Sequence, residues 1–211
     1  MKRLALVVAA LLLSVAGFAQ QKGFVLGFTT SNASIKHIDT DAVGQFHFGM
    51  TSNYPLFAGL SLQPELLYNR KGTIVNVDDL ASSRVVMSYL ELGVQAQLDI
   101  WPSYGRLYAF AEPYLGYGLS DKFRKPDVTV RNRWYYLNKL EGGFALGVGI
   151  QFIENLQLSA KVYWNLGSLY DPEGRIDLSD AKATAVSGIT RLFQGGNSYN
   201  GLSLSLVYYF E

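Results

Sequence analysis

Residues 202 to 210 read Leu-Ser-Leu-Ser-Leu-Val-Tyr-Tyr-Phe, one residue short of the end of the 211-residue sequence. Leu202, Leu204, Leu206, Tyr208 and Phe210 are large and apolar, and Ser203 and Ser205 stand between them. A period of two means a strand with one apolar and one polar face. A strand this apolar, closing on aromatics, reads as the last stave of a barrel in a lipid bilayer, and the rest of the chain can be tested against that reading.

At the other end, Lys2 and Arg3 precede the apolar run Leu4 to Leu13, and small residues follow up to Ala19. That is the plan of a secretory signal peptide cut after Ala19. The run falls short of the roughly 20 apolar residues of a spanning helix; an uncleaved anchor helix is the alternative. Cysteine is absent, which excludes a lipoprotein anchor, a disulfide framework and thiolate metal sites. The full sequence carries 18 basic and 17 acidic residues, so losing Lys2 and Arg3 leaves 16 against 17. That balance offers nucleic acid no general attraction. With 14 Tyr, 12 Phe and 21 Gly against six Pro, the composition favours strands. Residues 20–211 suit one domain. In lipid it must be a closed barrel, because only helices and closed sheets satisfy every backbone group there.

Alternation predicts eight strands, near 22–30, 43–52, 57–69, 85–99, 107–119, 140–152, 156–168 and 200–210. On the fourth, Leu90, Leu92, Val94, Ala96 and Leu98 oppose Glu91, Gly93, Gln95, Gln97 and Asp99. On the seventh, Leu156, Leu158, Ala160, Val162, Trp164 and Leu166 oppose Gln157, Ser159, Lys161, Tyr163, Asn165 and Gly167. The fifth admits two assignments, with either Tyr108, Phe110, Glu112 and Tyr114 on the polar face or Ala109, Ala111, Pro113 and Leu115. A carboxylate facing lipid is the costlier arrangement, so Glu112 is placed inside. Pro64 and Pro113 each remove a ladder donor, which predicts a bulge or a lost hydrogen bond.

The connections near 53–56, 100–106 and 153–155 are short, whereas those near 31–42, 70–84, 120–139 and 169–199 are long and polar. Short turns at one end and long loops at the other mark outer-membrane barrels. Ser179 to Lys182 suits a short helix start. Tyr54, Phe57, Trp101, Tyr208 and Phe210 would form one aromatic girdle; Tyr68, Tyr117, Trp134, Tyr135, Tyr136 and Trp164 would form the other. The rival is a soluble eight-stranded barrel with its apolar face inward. Its water-facing surface should be rich in charged residues, but here the non-apolar face is largely Gly, Ala, Ser and Gln. Turned inward, the Leu, Phe, Val and Trp of all the strands would overfill an eight-stranded interior.

Four phrases carry a resemblance: Leu62-Gln63-Pro64-Glu65-Leu66-Leu67-Tyr68 with Lys71-Gly72, Tyr89-Leu90-Glu91-Leu92, Glu112-Pro113-Tyr114-Leu115-Gly116, and Gly201-Leu202-Ser203-Leu204 with Tyr208-Tyr209-Phe210. In their order and spacing, over nearly the whole of 20–211, the chain resembles the PorT-like family of small outer-membrane barrels. The resemblance implies an eight-stranded transmembrane barrel with no established activity for most members; one namesake is associated with protein secretion. Gly93 stands where the family often has Pro.

Glu65, Glu91, Glu112 and Lys161 fall near mid-height on lumen-facing positions, with His47 nearby. They form the candidate binding cluster, whose alternative role is a polar plug that rigidifies the barrel. Three acids against one lysine call for further partners, and Arg70 and Arg84 are the candidates at the rim. An eight-stranded lumen is too narrow for a solute channel, which leaves a gated proton or ion path as the functional option. In the loops, His37, Asp39 and Asp41 with Asp78, Asp79, Ser82 and Ser83 could assemble an acyl-transfer site acting on lipid A, though without a nucleophile elbow. Arg124, Lys125, Arg131, Arg133 and Trp134-Tyr135-Tyr136 suit lipid phosphate contact or adhesion.

The expectation is an all-β, eight-stranded, antiparallel up-and-down transmembrane barrel of the outer membrane, behind a cleaved signal peptide at 1–19. It is expected to be non-enzymatic, structural or binding through its loops, with no cofactor and no metal. A lipid A-modifying enzyme and an accessory barrel of a secretion system are the alternatives. Its partners would be outer-membrane lipids, the barrel assembly machinery, and an extracellular or secretion-system protein, with no nucleic acid.

Overall fold

The computed structural model describes residues 21–34, 39–77, 80–101, 105–124, 129–131, 140–166 and 198–210. The signal-peptide span, His37, Asp78, Asp79, the Trp134 cluster and the helix start at 179 lie outside the described residues.

Nine strands follow one another: β1 (Gln21–Ser34), β2 (Asp39–Pro55), β3 (Leu60–Val77), β4 (Leu80–Trp101), β5 (Arg106–Arg124), β6 (Thr129–Arg131), β7 (Leu140–Ile153), β8 (Leu156–Asn165) and β9 (Ser198–Phe210). Eight of them close a ring in the order β4-β3-β2-β1-β9-β8-β7-β5, and β5 pairs back to β4. Every pairing is antiparallel. The three-residue β6 adds only to the far end of β5. No sheet edge is left along the band that crosses lipid, as a membrane demands.

The faces fall as the period requires. Leu204 is 46% exposed, Leu92 is 37% exposed and Leu158 is half-buried on the outer surface, while Ser203, Ser205, Glu91, Gln157 and Ser159 are buried inside. On β5 the ambiguity resolves toward Tyr108, Phe110, Glu112 and Tyr114 inside.

Both prolines interrupt a ladder on one side only. Pairing of β2 with β3 lapses between Thr51–Glu65 and Tyr54–Leu62, and pairing of β4 with β5 lapses between Gly93–Tyr114 and Ala96–Ala111. Neither register shifts there, so each proline removes hydrogen bonds without creating a bulge.

Three expectations about the connections need correction. The stretch 70–84 is not a loop. It is a hairpin paired from Arg70–Ser88 to Val77–Leu80, because β-branched residues are dense on both strands, Thr73, Ile74, Val75 and Val77 on one and Val85 and Val86 on the other, and they favour continued pairing. Likewise β5 continues to Arg124, so part of 120–139 is strand. The first short turn sits at 56–59 rather than 53–56. Leu56 N donates to Leu60 O at 2.8 Å, and Ala58 and Gly59 take positive φ values of 50° and 76°. Asn53 and Tyr54 stay in the sheet, opposite Gln21 and Leu62. The wall is therefore uneven. At 18, 22 and 19 residues, β3, β4 and β5 stand far taller than β8 at 10, and about 9–11 tilted residues suffice to cross a bilayer.

Leu204→Arg puts a guanidinium on the lipid-facing surface and should lower unfolding stability by about 2–4 kcal/mol near the midplane. Urea titration of the folded, heat-modifiable gel band measures this. An unchanged midpoint would mean that this face does not meet lipid.

Candidate functional site

The lumen is filled by side chains that bond across it. Nearest the short-turn end, Arg106 Nε donates to Asp99 Oδ1 at 2.6 Å, and its Nη2 donates to Ser61. Above lies a layer of amides. Gln97 Nε2 donates to Gln63 Oε1 at 2.7 Å and to Gln95 Oε1 at 2.9 Å, and Tyr209 OH stands between two acceptors, Gln63 Oε1 at 2.7 Å and Gln157 Oε1 at 2.8 Å, with one proton to share. Tyr209 belongs to β9 and Gln63 to β3, so these bonds span the barrel.

Next comes a first trio of charges. Lys161 Nζ on β8 donates to both Glu112 oxygens on β5 at 2.7 Å, and it stands 3.9 Å from Glu65 Oε2 on β3. Gln63 Nε2 donates to Glu65 Oε1 at 2.8 Å. His47 lies buried on β2, with Nδ1 2.8 Å from Thr29 Oγ1 and Nε2 2.9 Å from Ser205 Oγ.

A second trio follows. Lys71 Nζ on β3 pairs with Glu91 on β4 and donates to Glu141 Oε1 on β7 at 2.6 Å. Asn69 Nδ2 donates to Glu91 Oε2 at 2.8 Å, and Asn165 Nδ2 donates to Glu141 Oε2 at 3.1 Å. The ammonium also faces the rings of Tyr114 and Tyr163, at 4.7 and 4.8 Å from their centroids. Above this trio β2 slips out of register with β3 between Ala42 and His47. There Ser31 of β1 reaches β3 directly, donating to Gly72 O at 2.8 Å and accepting from Gly72 N at 2.6 Å.

Glycines make the room. A Cβ on Gly93 would lie 2.5 Å from Glu112 Oε1, and one on Gly116 would lie 2.7 Å from Glu141 Cγ. Each carboxylate lies across a glycine of a neighbouring strand, which fixes its height and keeps it off the wall.

The expected cluster of Glu65, Glu91, Glu112 and Lys161 is thus divided. Glu65, Glu112 and Lys161 meet, whereas Glu91, opposite Leu67 and one inward position above Glu65, belongs to Lys71. The rim arginines are not the missing partners. Arg70 lies 5.4 Å over the outward ring of Phe46, and Arg84 is exposed. Lys71 lies two residues past the expected end of the third strand, and Glu141 lies at the second position of the sixth, outside the alternation that marks its faces. Their signal was parity with Asn69 and with Gly143.

Buried carboxylates and ammonium ions persist only when paired and hydrogen-bonded; both trios are paired across the lumen, and Glu65 Oε2, 3.9 Å from Lys161, is the oxygen of the lower trio that makes no hydrogen bond. Among the described residues no cluster suits a metal ion. Of the loop acyl-transfer set, Asp41 lies on β2 opposite Ile74 and Ser83 on β4 opposite Val75.

Lys71→Met leaves two carboxylates buried without their cation and should destabilise the barrel by about 3–5 kcal/mol. Adding Glu91→Gln and Glu141→Gln should restore most of that. Thermal unfolding in detergent, read by the gel shift, compares the two, and equal stability of Lys71→Met and wild type would show that the trio holds nothing together.

The model of the outer membrane protein beta-barrel domain family matches residues 18–171. No curated protein matches the chain. Among solved structures the chain is similar to Ail, the attachment invasion locus protein of Yersinia pestis, at 13% identity and TM-score 0.47, covering 90% of this chain and 98% of that one. Neisserial surface protein A is similar at 13% identity and TM-score 0.49, with coverages of 90% and 97%. The N-terminal β-barrel domain of Pseudomonas aeruginosa OprF is similar at 13% identity and TM-score 0.34, with coverages of 90% and 100%. With its closed ring, lipid-facing surface and matched domain model, the chain belongs to the outer membrane protein beta-barrel domain family and resides in the outer membrane.

Proposed function

We propose that this protein is a non-enzymatic barrel with a sealed lumen, which serves the outer membrane as a rigid scaffold and binds through its extracellular side. The observation that carries the reading is the set of bonds across the lumen. Lys161 on β8 meets Glu112 and Glu65 on β5 and β3, Lys71 on β3 meets Glu141 on β7, and Tyr209 on β9 meets Gln63 on β3. A solute path would have to break all three layers, and the buried charges would then face each other in low dielectric without partners. The trios therefore act as cross-braces rather than as a ligand site.

The four sequence phrases support placing the protein among PorT-like barrels. Residues 1–19 serve as a leader removed on export, and the aromatic closing strand is what the barrel assembly machinery reads. Loops on a rigid wall are where binding resides, so an extracellular or secretion-system protein would dock there. The acyl-transfer alternative rests on residue types alone; the hydroxyl–imidazole contacts of His47 with Thr29 and Ser205 are buried in the lumen, apart from the loop set.

Purified protein in planar bilayers should show no conductance steps. Glu65→Gln, Glu91→Gln and Glu112→Gln should stay equally silent. A reproducible step in wild type would overturn the sealed-lumen reading.

A further inference from the structure

We propose that the periplasmic mouth of the barrel is a docking basin for an extended peptide segment of a periplasmic protein, one in which a basic side chain adjoins an apolar one. The basin lies at the end opposite the extracellular loops, so it goes beyond the function proposed above.

Long loops mark the extracellular end of such barrels, so the short turns at 56–59 and 153–155 face the periplasm. Between them opens a basin of about 750 Å³. Ligand pockets run from about 300 to about 1,000 Å³. Asn53 and Ser61 close its floor, bonded to the amide layer through Gln63 and Gln97, so whatever enters has no way through. One wall is apolar where a water-facing turn is ordinarily polar. Leu56 is 49% exposed, and Phe57, at 73%, is the most exposed large apolar side chain described. The turn that carries them is held in place, since Asp99 N donates to Gly59 O at 2.9 Å and ties it to β4. Ala58 takes its φ of 50° where a tight hairpin turn favours Asn, Asp or Gly. A polar residue would suit both the backbone and the water at this tip, and strain of this kind gathers at functional sites.

The opposite wall offers acceptors. Gln21 Nε2 and Gln151 Nε2 both donate to Glu154 O, at 3.3 and 2.6 Å, which leaves their amide oxygens as acceptors. Glu154 is exposed and makes no ion pair among the described residues. Arg106 is already engaged by Asp99. The charged residues that line the basin are Asp99, Glu154 and Arg106, two acids against one base. Charge therefore selects a cation, and the apolar wall selects a hydrophobic group beside it. A small free cation would leave Phe57 in water, and a phospholipid would bring its phosphate against Glu154. An extended peptide supplies the basic side chain for Glu154, the apolar one for Leu56 and Phe57, and backbone N–H groups for the two amide oxygens.

The probe is a phage-displayed library of random heptapeptides, panned on the folded barrel in nanodiscs and on empty nanodiscs. Wild type should enrich peptides in which Lys or Arg stands next to an aliphatic or aromatic residue. The best of them, made with a fluorescent label and read by anisotropy, should bind Phe57→Ser about ten-fold more weakly or worse. Panning on Glu154→Lys should turn the preference toward Asp and Glu. Lys22→Gln, which removes an exposed charge at the same end but opposite Phe210 and outside the basin, should leave the affinity unchanged. Gel migration of unheated samples confirms that each variant is folded; if Phe57→Ser is not, the switch in Glu154→Lys decides. No enrichment over empty nanodiscs, a wild-type preference for acidic peptides, or binding indifferent to both basin variants would overturn the proposal. So would sedimentation showing that wild type pairs with itself and that Phe57→Ser does not, which would give the basin to a second copy of the chain. The extracellular binding proposed above stands or falls separately, because none of these variants touches that end.

Discussion

Closure of the backbone ladder is the constraint on which everything else depends. In hydrocarbon a peptide N–H or C=O without a partner costs several kcal/mol, so the strands must return to one another without an edge. Pairing of β1 with β9 and of β4 with β5 does this. Once eight strands close, the interior is only as wide as its own side chains. Small residues must then line much of it, and any large polar group must find partners on the opposite wall. The content of the lumen is thus a consequence of its circumference.

That consequence explains the two charge trios. A lysine whose stem rises from one wall has its ammonium near the axis, where carboxylates from two other strands can reach it. Lys71 on β3 meets Glu91 on β4 and Glu141 on β7; Lys161 on β8 meets Glu112 on β5 and Glu65 on β3. Desolvating these ions is costly, and their mutual attraction offsets it only with full hydrogen bonding. Asn69, Asn165 and Gln63 supply part of it. The gain is geometric, because each trio ties non-adjacent strands together, which the backbone ladder alone cannot do.

Much of this was legible in the chain. The period of two told which face met lipid, since apolar residues facing inward would have overfilled the barrel. It placed Glu65, Glu91, Glu112 and Lys161 inside, and it placed Glu112 correctly on a strand where pattern alone was ambiguous. Partnership was not legible. Glu91 and Glu65 are one inward step apart on neighbouring strands, and only the stagger of the barrel decides that one faces Lys71 and the other Lys161. Strand length was also misread at 70–84, because polar residues there suggested a loop. A hairpin in water keeps its ladder when β-branched residues are dense on both strands, as Thr73, Ile74 and Val75 are on β3 and Val85 and Val86 on β4, with Thr73 directly opposite Val85. The same misreading hid Lys71.

The prolines tie the wall to its contents. Each sits beside a glutamate of the lower trio, Pro64 before Glu65 and Pro113 after Glu112, and each opens the ladder on one side without shifting register. Both lie on the outer face, where a proline ring suits lipid and brings no N–H that lipid would leave unpaired. Thr51 Oγ1 donates to Pro64 O at 2.8 Å beside one gap, so a side-chain hydroxyl stands in for part of the lost pairing. A strand released from one neighbour is free to twist locally, and the residue that gains is the adjacent inward one. At both places that residue is a carboxylate whose target, Lys161, lies off its own strand. Gly93, across which Glu112 lies, completes the arrangement by leaving the neighbouring wall empty. The Gln-Pro-Glu and Glu-Pro-Tyr phrases thus have a physical meaning: they loosen the ladder at the height where two acids must lean inward to share one lysine.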